Sequence, residues 1–289
     1  RAVLMQAPGA AAETAAFLRI AAHLAGLGLS PPRVLEADPE AGLVLLEDLG
    51  DDLYTTVIAR DPAAEPALMQ AAAAALLALQ AAPPPPGLQD LSAATWAQSA
   101  LLVTDFYAPA EGAPLAKALQ SALQAHADGP RVILLRDFHA GNLLWLPDRR
   151  GLARVGLLDF QDAQLGQPAY DLVSLLQDAR RDVSPAAQNA ALETFSAGLG
   201  LSPGALAPAF AALGALRALR ILGIFARLCL RDGKPSYLIH LPRVWRQLQA
   251  NLAHPALTDL RATCARLVPE PGPAFIEDLR ARCGSQSSR

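Results

Sequence analysis

The feature that most limits how this chain can fold is a polar loop between two short apolar runs, in ILLRDFHAGNLLWL (133–146). The first run ends at Arg136 and Asp137, and the second begins directly after Asn142. Apolar runs of this length, bounded by polar and turn-forming residues, are typical of strands. The pattern therefore predicts a small β unit that presents Asp137 and Asn142 at the ends of its strands.

A third polar residue, Asp159, ends the next strand-like run, VGLLD. If 143–146 and 154–158 pair as a hairpin, Asn142 and Asp159 lie at the same end and can reach one cation. Mg²⁺ takes oxygen ligands and keeps several waters, so one carboxylate and one amide suit it. Asp137 would lie beside that metal and accept the proton of an incoming hydroxyl, which is the layout of phosphoryl transfer.

Around this unit the chain reads as a small β-rich part followed by helices. Residues 2–5 are predicted to form a strand, 11–25 a helix, and the runs PPRVLEAD and GLVLLEDLG two further strands that end near Gly50. Helices are predicted over 62–81, 92–107, 113–126, 170–180, 186–198, 205–231, 240–252 and 256–267. This order predicts a bilobal α+β fold, with a disordered tail in the last six residues, GSQSSR.

Composition excludes several classes of function. The formal net charge is −3 and no basic block occurs, so nucleic acid is not an expected partner. The scattered Cys229, Cys264 and Cys283 argue against a disulfide framework or a zinc site and favour the reducing cytoplasm. The apolar run 205–230 contains arginines, so we expect a buried helix rather than a membrane span. The sequence does not indicate an oligomeric state.

Several motifs together carry a family resemblance. The segments LLRDFHAGNLL, VGLLDFQDA and PAYDLVSLL resemble the aminoglycoside phosphotransferase and small-molecule kinase branch of the protein-kinase-like fold. Within that branch the chain is most similar to bacterial sugar kinases that phosphorylate the anomeric hydroxyl of N-acetylmuramate and N-acetylglucosamine in peptidoglycan recycling. VLLEDLG (44–50), GIFARLCLRDGKPSYL (223–238) and LPRVWRQL (241–248) extend the likeness over most of the chain.

The resemblance implies an ATP- and Mg²⁺-dependent kinase with a small sugar as its partner. Residues 1–50 would be a partial, N-terminally truncated nucleotide-binding lobe, and we expect further residues upstream. Residues 51–289 would form a large, mainly helical lobe that includes the catalytic loop and the metal-binding hairpin (131–163). The short span from Asp159 to Asp171 leaves no room for a long activation segment, which favours small substrates over peptides.

The resemblance also assigns roles to individual residues. Asp137 is similar to the catalytic base, and Asn142 and Asp159 to the metal ligands. Asp171 resembles a helix residue that supports the backbone of the catalytic loop, and we expect His139 to shape that loop through a hydrogen bond. The segment that would meet adenine with its backbone is Glu47, Asp48 and Leu49.

Acceptor recognition is predicted on the helical part. Arg217, Arg220, Arg227 and Arg231 fall within an arc of about 80° on one helix face. That face is either a solvated stripe or an anion groove in which Arg227 or Arg231 would bind the lactyl carboxylate of N-acetylmuramate. Further candidate acceptor contacts are Tyr237 and Asp178.

Departures from the family pattern keep other functions open. The run AVLMQAP has Met5 or Gln6 where a phosphate-binding Lys is expected, Leu135 replaces a frequent His, and no Gly-rich phosphate loop is present. One alternative is a kinase for another acceptor, such as an aminoglycoside, a choline-like amine or homoserine, although an Arg-rich face disfavours cationic ligands. Another is a catalytically inactive binding protein, although the intact set of Asp137, Asn142 and Asp159 argues against it.

Overall fold

The computed structural model describes residues 1–202 and 204–286 as a mixed α+β protein. Its strands are β1 Ala2–Gln6, β2 Val34–Asp38, β3 Leu43–Glu47, β4 Val132–Leu134, β5 Leu143–Trp145, β6 Val155–Leu157 and β7 Gln164–Gly166. Its α-helices are α1 Ala11–Gly26, α2 Tyr54–Arg60, α3 Glu65–Ala81, α4 Ala93–Ser99, α5 Ala113–His126, α6 Tyr170–Leu176, α7 Pro185–Gly198, α8 Ala207–Leu230, α9 Leu241–Leu252, α10 Thr258–Leu267 and α11 Pro273–Ala281. Residues 287–289 of the tail predicted to be disordered lie outside the described residues.

The chain groups into two compact units. Unit 1 consists of Arg1–Asp90, Pro130–Asp178 and Val183–Ala205, and unit 2 consists of Leu91–Gly129, Ala179–Asp182 and Leu206–Arg289. Unit 1 contains all seven described strands with α1, α2, α3, α6 and α7, whereas unit 2 is helical. The mixed α+β class is confirmed, and the lobe boundary near Gly50 stays a prediction.

The N-terminal part of unit 1 is a three-stranded antiparallel sheet in the order β1-β3-β2. In β3 the side chains alternate, so that Val44 and Leu46 are buried while their neighbours are half-buried. The buried residues of α1 recur at helical spacing, including Phe17, Ile20 and Leu24. The strand–helix–strand–strand order predicted for this region is confirmed.

Two short antiparallel pairs build the polar loop region of unit 1. β5 pairs with β6 so that Leu143 lies opposite Leu157, which puts the start of one strand beside the end of the other. β4 pairs with β7, a strand that sequence reasoning did not predict. The hairpin predicted from the apolar runs is therefore present, and Asn142 and Asp159 flank the same end of it.

The long helix α8 is the central element of unit 2. The described residues contain two helical segments with the length and composition of a membrane span, Pro62–Ala81 and α8, and 78% of the most apolar stretch of α8 is buried inside the protein. Packing thus accounts for the apolar composition of α8, as the sequence predicted for 205–230. Its arginines do not form a solvated stripe, because Arg217 is only 8% exposed and the Arg220 guanidinium stacks 4.9 Å from the ring centre of Trp96.

The continuous helix predicted over 92–107 is wrong. α4 ends at Ser99, whose hydroxyl donates to the carbonyl of Trp96, and the chain continues into a π-helical turn at Val103–Tyr107. This turn packs against α8 at Gly223, where no side chain separates the two backbones. The break therefore follows from tertiary packing, which helical periodicity does not reveal. Helices α2 and α11 were also missed.

Replacing Gly223 by Ala is expected to destabilise the protein by about 1–3 kcal/mol. A Cβ there would overlap the carbonyl carbon of Leu102 and lie 2.5 Å from the backbone nitrogen of Val103, so backbone would have to move. Urea unfolding measures the change. The control is Gly26→Ala in α1, where no atom lies within 4 Å of the new Cβ, and there the free energy of unfolding should stay equal or rise. Equal losses in both variants would contradict the packing argument.

Candidate active site

The loop between β4 and β5 carries Asp137, which is exposed between the half-buried Arg136 and the buried Phe138. Arg136, the preceding residue, has a φ of 71°, a left-handed conformation that non-glycine residues adopt at a cost. Its guanidinium donates to the carbonyl of Asp162 over 3.4 Å. Within the described ranges the Asp137 carboxylate has no hydrogen-bond or ion-pair partner, so both its oxygens remain available to a ligand.

Asp171 supports this loop through hydrogen bonds to its backbone. It lies in the first turn of α6 and is fully buried, and its carboxylate accepts the backbone N–H of Leu135 at 2.6 Å and that of Arg136 at 2.9 Å. Hydrogen bonds to an ionised carboxylate are strong, and here they satisfy two N–H groups of a loop that has no strand partner at that point. The loop support proposed for Asp171 thus has a direct geometric basis.

Asn142 links the other two polar residues of the site. Its side-chain nitrogen donates to the backbone carbonyl of Asp137 at 2.9 Å and to the Asp159 carboxylate at 3.2 Å. The backbone carbonyl of Asn142 accepts the N–H of Leu158 at 3.0 Å, and this bond fixes the end of the hairpin. With both amide hydrogens engaged, the amide oxygen is the atom left for another ligand. The three predicted residues therefore converge in one place.

This donor set fits a magnesium ion. Among residues 1–202 and 204–286 no three His, Cys, Asp or Glu side chains form a metal-binding cluster. Mg²⁺ does not need such a cage, because it is commonly held by one or two protein oxygens, waters and substrate phosphates. Asp159 supplies an exposed carboxylate and Asn142 a free amide oxygen. Asp159 has a φ of 56°, a left-handed conformation that is uncommon for non-glycine residues.

His139 lies inside the loop and is 8% exposed. Its Nδ1 accepts the backbone N–H of Gly141 at 3.1 Å, and its carbonyl accepts that of Asn142 at 2.8 Å. Both bonds close the short turn that brings Asn142 back toward Asp137. These contacts are of the loop-shaping kind expected for this histidine.

The segment Glu47 to Leu49 borders a cavity of about 300 Å³ in unit 1. Apolar side chains line much of it, from Val3, Leu46, Leu49, Leu53, Leu144 and Leu158. The backbone N–H of Leu49 donates to no group in the described part of the chain, and that of Gly50 donates to the Asp48 carboxylate at 2.9 Å. A cavity with apolar walls and an available backbone N–H suits a flat apolar ring that has hydrogen-bonding edges.

The Glu47 side chain is not part of the hydrogen-bonding edge of this cavity, because it forms ion pairs with two arginines. Its carboxylate pairs with Arg33 at 3.1 Å and with Arg149 at 2.8 Å. Burial alone would raise the pKa of Glu47, but the hydrogen bonds from the backbone and side chain of Arg33 and from Arg149 outweigh it and lower the pKa. The two pairs tie β3 to residues on either side of it and keep this carboxyl charged.

The predicted acceptor residues are divided between the two units. Asp178 belongs to unit 1 and is 2% exposed, whereas Arg227, Arg231 and Tyr237 belong to unit 2. Arg231 is engaged by Asp232 through two bonds of 2.7 and 3.2 Å. The Nε of Arg227 is buried and has no hydrogen-bond partner among the described residues. Tyr237 packs against Phe225 in a tilted arrangement with ring centres 5.3 Å apart.

Two residues near the site were missed by sequence reasoning. Gln161 donates from its side chain to the Asp159 carboxylate at 2.7 Å. Phe160 is fully buried and stacks on Phe17 of α1 with ring centres 5.0 Å apart. The signal was available in the DFQ run that begins at Asp159, but the local sequence does not reveal which way a side chain in a turn points.

Comparison with known proteins identifies the family to which this chain belongs. Residues 1–216 match the model of the phosphotransferase enzyme family known as APH. The chain is 44% identical to an N-acetylmuramate/N-acetylglucosamine kinase of Caulobacter vibrioides, with 90% of this chain and 76% of that protein covered. It is 34% identical to a kinase of the same name from Pseudomonas aeruginosa, over 92% of this chain and 81% of the relative.

A solved structure supports the fold alone. A choline/ethanolamine kinase family protein from Mesorhizobium loti superposes with a TM-score of 0.65 at 18% identity, covering 90% of this chain and 87% of the other.

Substituting Asp171 by Asn is expected to lower the free energy of unfolding by about 2–4 kcal/mol. The Asp171 carboxylate accepts two N–H groups, one on each oxygen. An Asn side chain has only one acceptor oxygen, so one of these N–H groups would face the donor NH₂ group. The comparison is with Asp162→Asn, an exposed carboxylate whose loss should change stability by less than about 0.5 kcal/mol. If chemical denaturation gives the same small change for both, Asp171 does not support the loop.

Proposed function

This chain belongs to the phosphotransferase enzyme family, and we propose that it is an ATP-dependent kinase of N-acetylmuramate and N-acetylglucosamine. The substrate assignment is supported by the two relatives that carry this name, one of them 44% identical over most of this chain. The observation that carries the chemistry is the convergence of Asp137, Asn142 and Asp159 at one end of the β5–β6 hairpin.

Asp137 would act as the base for the acceptor hydroxyl. Its carboxylate is exposed and unpartnered in the described residues, and its backbone is fixed by the bonds from Asp171 and Asn142 to the loop. The hydroxyl oxygen would form a bond to the γ-phosphorus, the bond from that phosphorus to the β–γ bridging oxygen would break, and the hydroxyl proton would pass to Asp137. ADP and a sugar phosphate are then the products.

Asn142 and Asp159 would hold a magnesium ion, which when bound neutralises charge on the phosphates of ATP. The 300 Å³ cavity beside Glu47 to Leu49 would accept the adenine ring, with the unengaged N–H of Leu49 as a donor to it. Its apolar walls would contact both ring faces. Nucleotide and metal would thereby occupy adjoining parts of unit 1.

The anomeric hydroxyl is the proposed acceptor group, and the lactyl carboxylate of N-acetylmuramate is the group that would need a cation. Arg227 is the stronger candidate for that contact, because its Nε is buried without a partner among the described residues, whereas the fork of Arg231 already binds Asp232. Tyr237 and Asp178 remain proposed acceptor contacts. A kinase of this kind would work in the cytoplasm on sugars released in peptidoglycan recycling.

The experiment incubates the protein with MgATP and a panel of acceptors: N-acetylmuramate, N-acetylglucosamine, choline, homoserine and an aminoglycoside. We expect ADP release with the two amino sugars alone, and a product phosphate that mild acid removes, because glycosyl phosphates are far more acid-labile than esters of other sugar hydroxyls. Release with an amine or antibiotic, or an acid-stable product, would overturn the proposed acceptor.

Replacing Asp137 by Asn is expected to lower kcat by at least about 10²-fold, because general base catalysis contributes on the order of 10²–10⁴. The dissociation constant for nucleotide should change little, since the carboxylate is proposed to act on the acceptor. Rates come from coupled ADP release and binding from calorimetry, with Asp162→Asn as the matched surface control. Full activity in the Asp137 variant would remove this residue from the mechanism.

A further inference from the structure

The carboxylate of Asp159 is held on both sides by side-chain amides. Gln161 donates to its Oδ1 at 2.7 Å, and Asn142 donates to its Oδ2 at 3.2 Å. The shorter bond has the length of a strong hydrogen bond to a charged oxygen. One bond to each oxygen fixes the plane of the carboxylate and still leaves lone pairs for a further ligand.

The backbone of Gln161 is itself fixed. It lies in a turn closed by the bond from the Ala163 N–H to the Phe160 carbonyl at 3.1 Å. Phe160 is fully buried and stacks on Phe17, so the residue before Gln161 is anchored in the core. The Gln161 side chain therefore folds back toward Asp159 from a defined position rather than from a free loop.

Asp159 needs such support more than an ordinary strand-end residue does. Its φ of 56° lies in the left-handed region, where non-glycine residues persist only if their surroundings hold them. Without the bond from Gln161, the remaining side-chain contact on this carboxylate among the described residues is the longer one from Asn142. An unbranched amide suits the task because it donates a hydrogen bond without adding a charge.

We propose that Gln161 is a positioning residue that orients the Asp159 carboxylate for a divalent cation bound with the nucleotide. The inference rests on the proposed function, and it goes beyond the ligands Asn142 and Asp159 by assigning a role to a residue that touches neither substrate nor metal. The amide acts through the carboxylate, so its loss weakens metal binding and leaves sugar binding unaffected.

The alternative role for Gln161, as a competitor of the cation for Asp159, predicts the opposite effect. The Gln161 amide could occupy a position on Asp159 that the cation must take, in which case its removal would tighten metal binding. The sign of the change in metal affinity therefore separates a positioning residue from a competitor for the carboxylate.

The test titrates Mn²⁺, followed by its electron spin resonance signal, into the protein with saturating ADP. Gln161→Ala and Gln161→Met both remove the donor, and the second keeps the side-chain length in case the first does not fold. Each should raise the dissociation constant of Mn²⁺ about tenfold, the low end of the range for residues that orient a metal ligand. The half-saturating Mg²⁺ concentration for turnover should rise in parallel, with KM for the sugar unchanged.

The matched control is Gln249→Met on the exposed face of α9, which should leave Mn²⁺ affinity and its Mg²⁺ dependence as in the wild type. Unchanged or tighter Mn²⁺ binding in the Gln161 variants would overturn the inference while the proposed function stands. Wild-type protein that binds no Mn²⁺ with ADP would overturn the proposed function, and the role of Gln161 with it.

Discussion

The candidate active site depends on one buried carboxylate. Asp171 accepts two consecutive backbone N–H groups from the loop after β4, at 2.6 and 2.9 Å, and so fixes the point where the chain turns out to solvent. The cost of burying this charge is offset only if such bonds are present. Because Arg136 is in a left-handed conformation there, the loop could relax to other shapes without that support. The backbone next to the exposed Asp137 is thus fixed in position.

From this point a continuous hydrogen-bonded path leads across the site. The Asp137 carbonyl accepts from Asn142, Asn142 donates to Asp159, and Asp159 accepts from Gln161. The β5–β6 pairing places Asn142 beside Asp159, and the stacked Phe17 and Phe160 anchor the path to α1. Local turns, a two-stranded hairpin and a buried aromatic pair together hold exposed side chains that would otherwise be flexible.

The sequence revealed the site better than its surroundings. The apolar runs on either side of Asp137 and Asn142, and the strand before Asp159, were sufficient to predict the hairpin, because short apolar runs bounded by turn-forming residues are a local signal. The sequence pattern did not predict the break in the helix expected over 92–107, because the break follows from close packing of Val103–Tyr107 against Gly223. Gln161 was missed for a related reason: the direction of its side chain depends on the buried position of Phe160.

We propose that Asp137, Asn142 and Asp159 act together on a metal-bound nucleotide and a sugar hydroxyl. A crystal structure with Mg²⁺, a non-hydrolysable ATP analogue and N-acetylglucosamine tests this arrangement. We expect a metal about 2.0–2.1 Å from the Asn142 amide oxygen and an Asp159 oxygen. We also expect the anomeric oxygen within about 2.6–3.2 Å of the Asp137 carboxylate. Nucleotide and metal bound without contact to residues 142 and 159, or a sugar remote from residue 137, would contradict it.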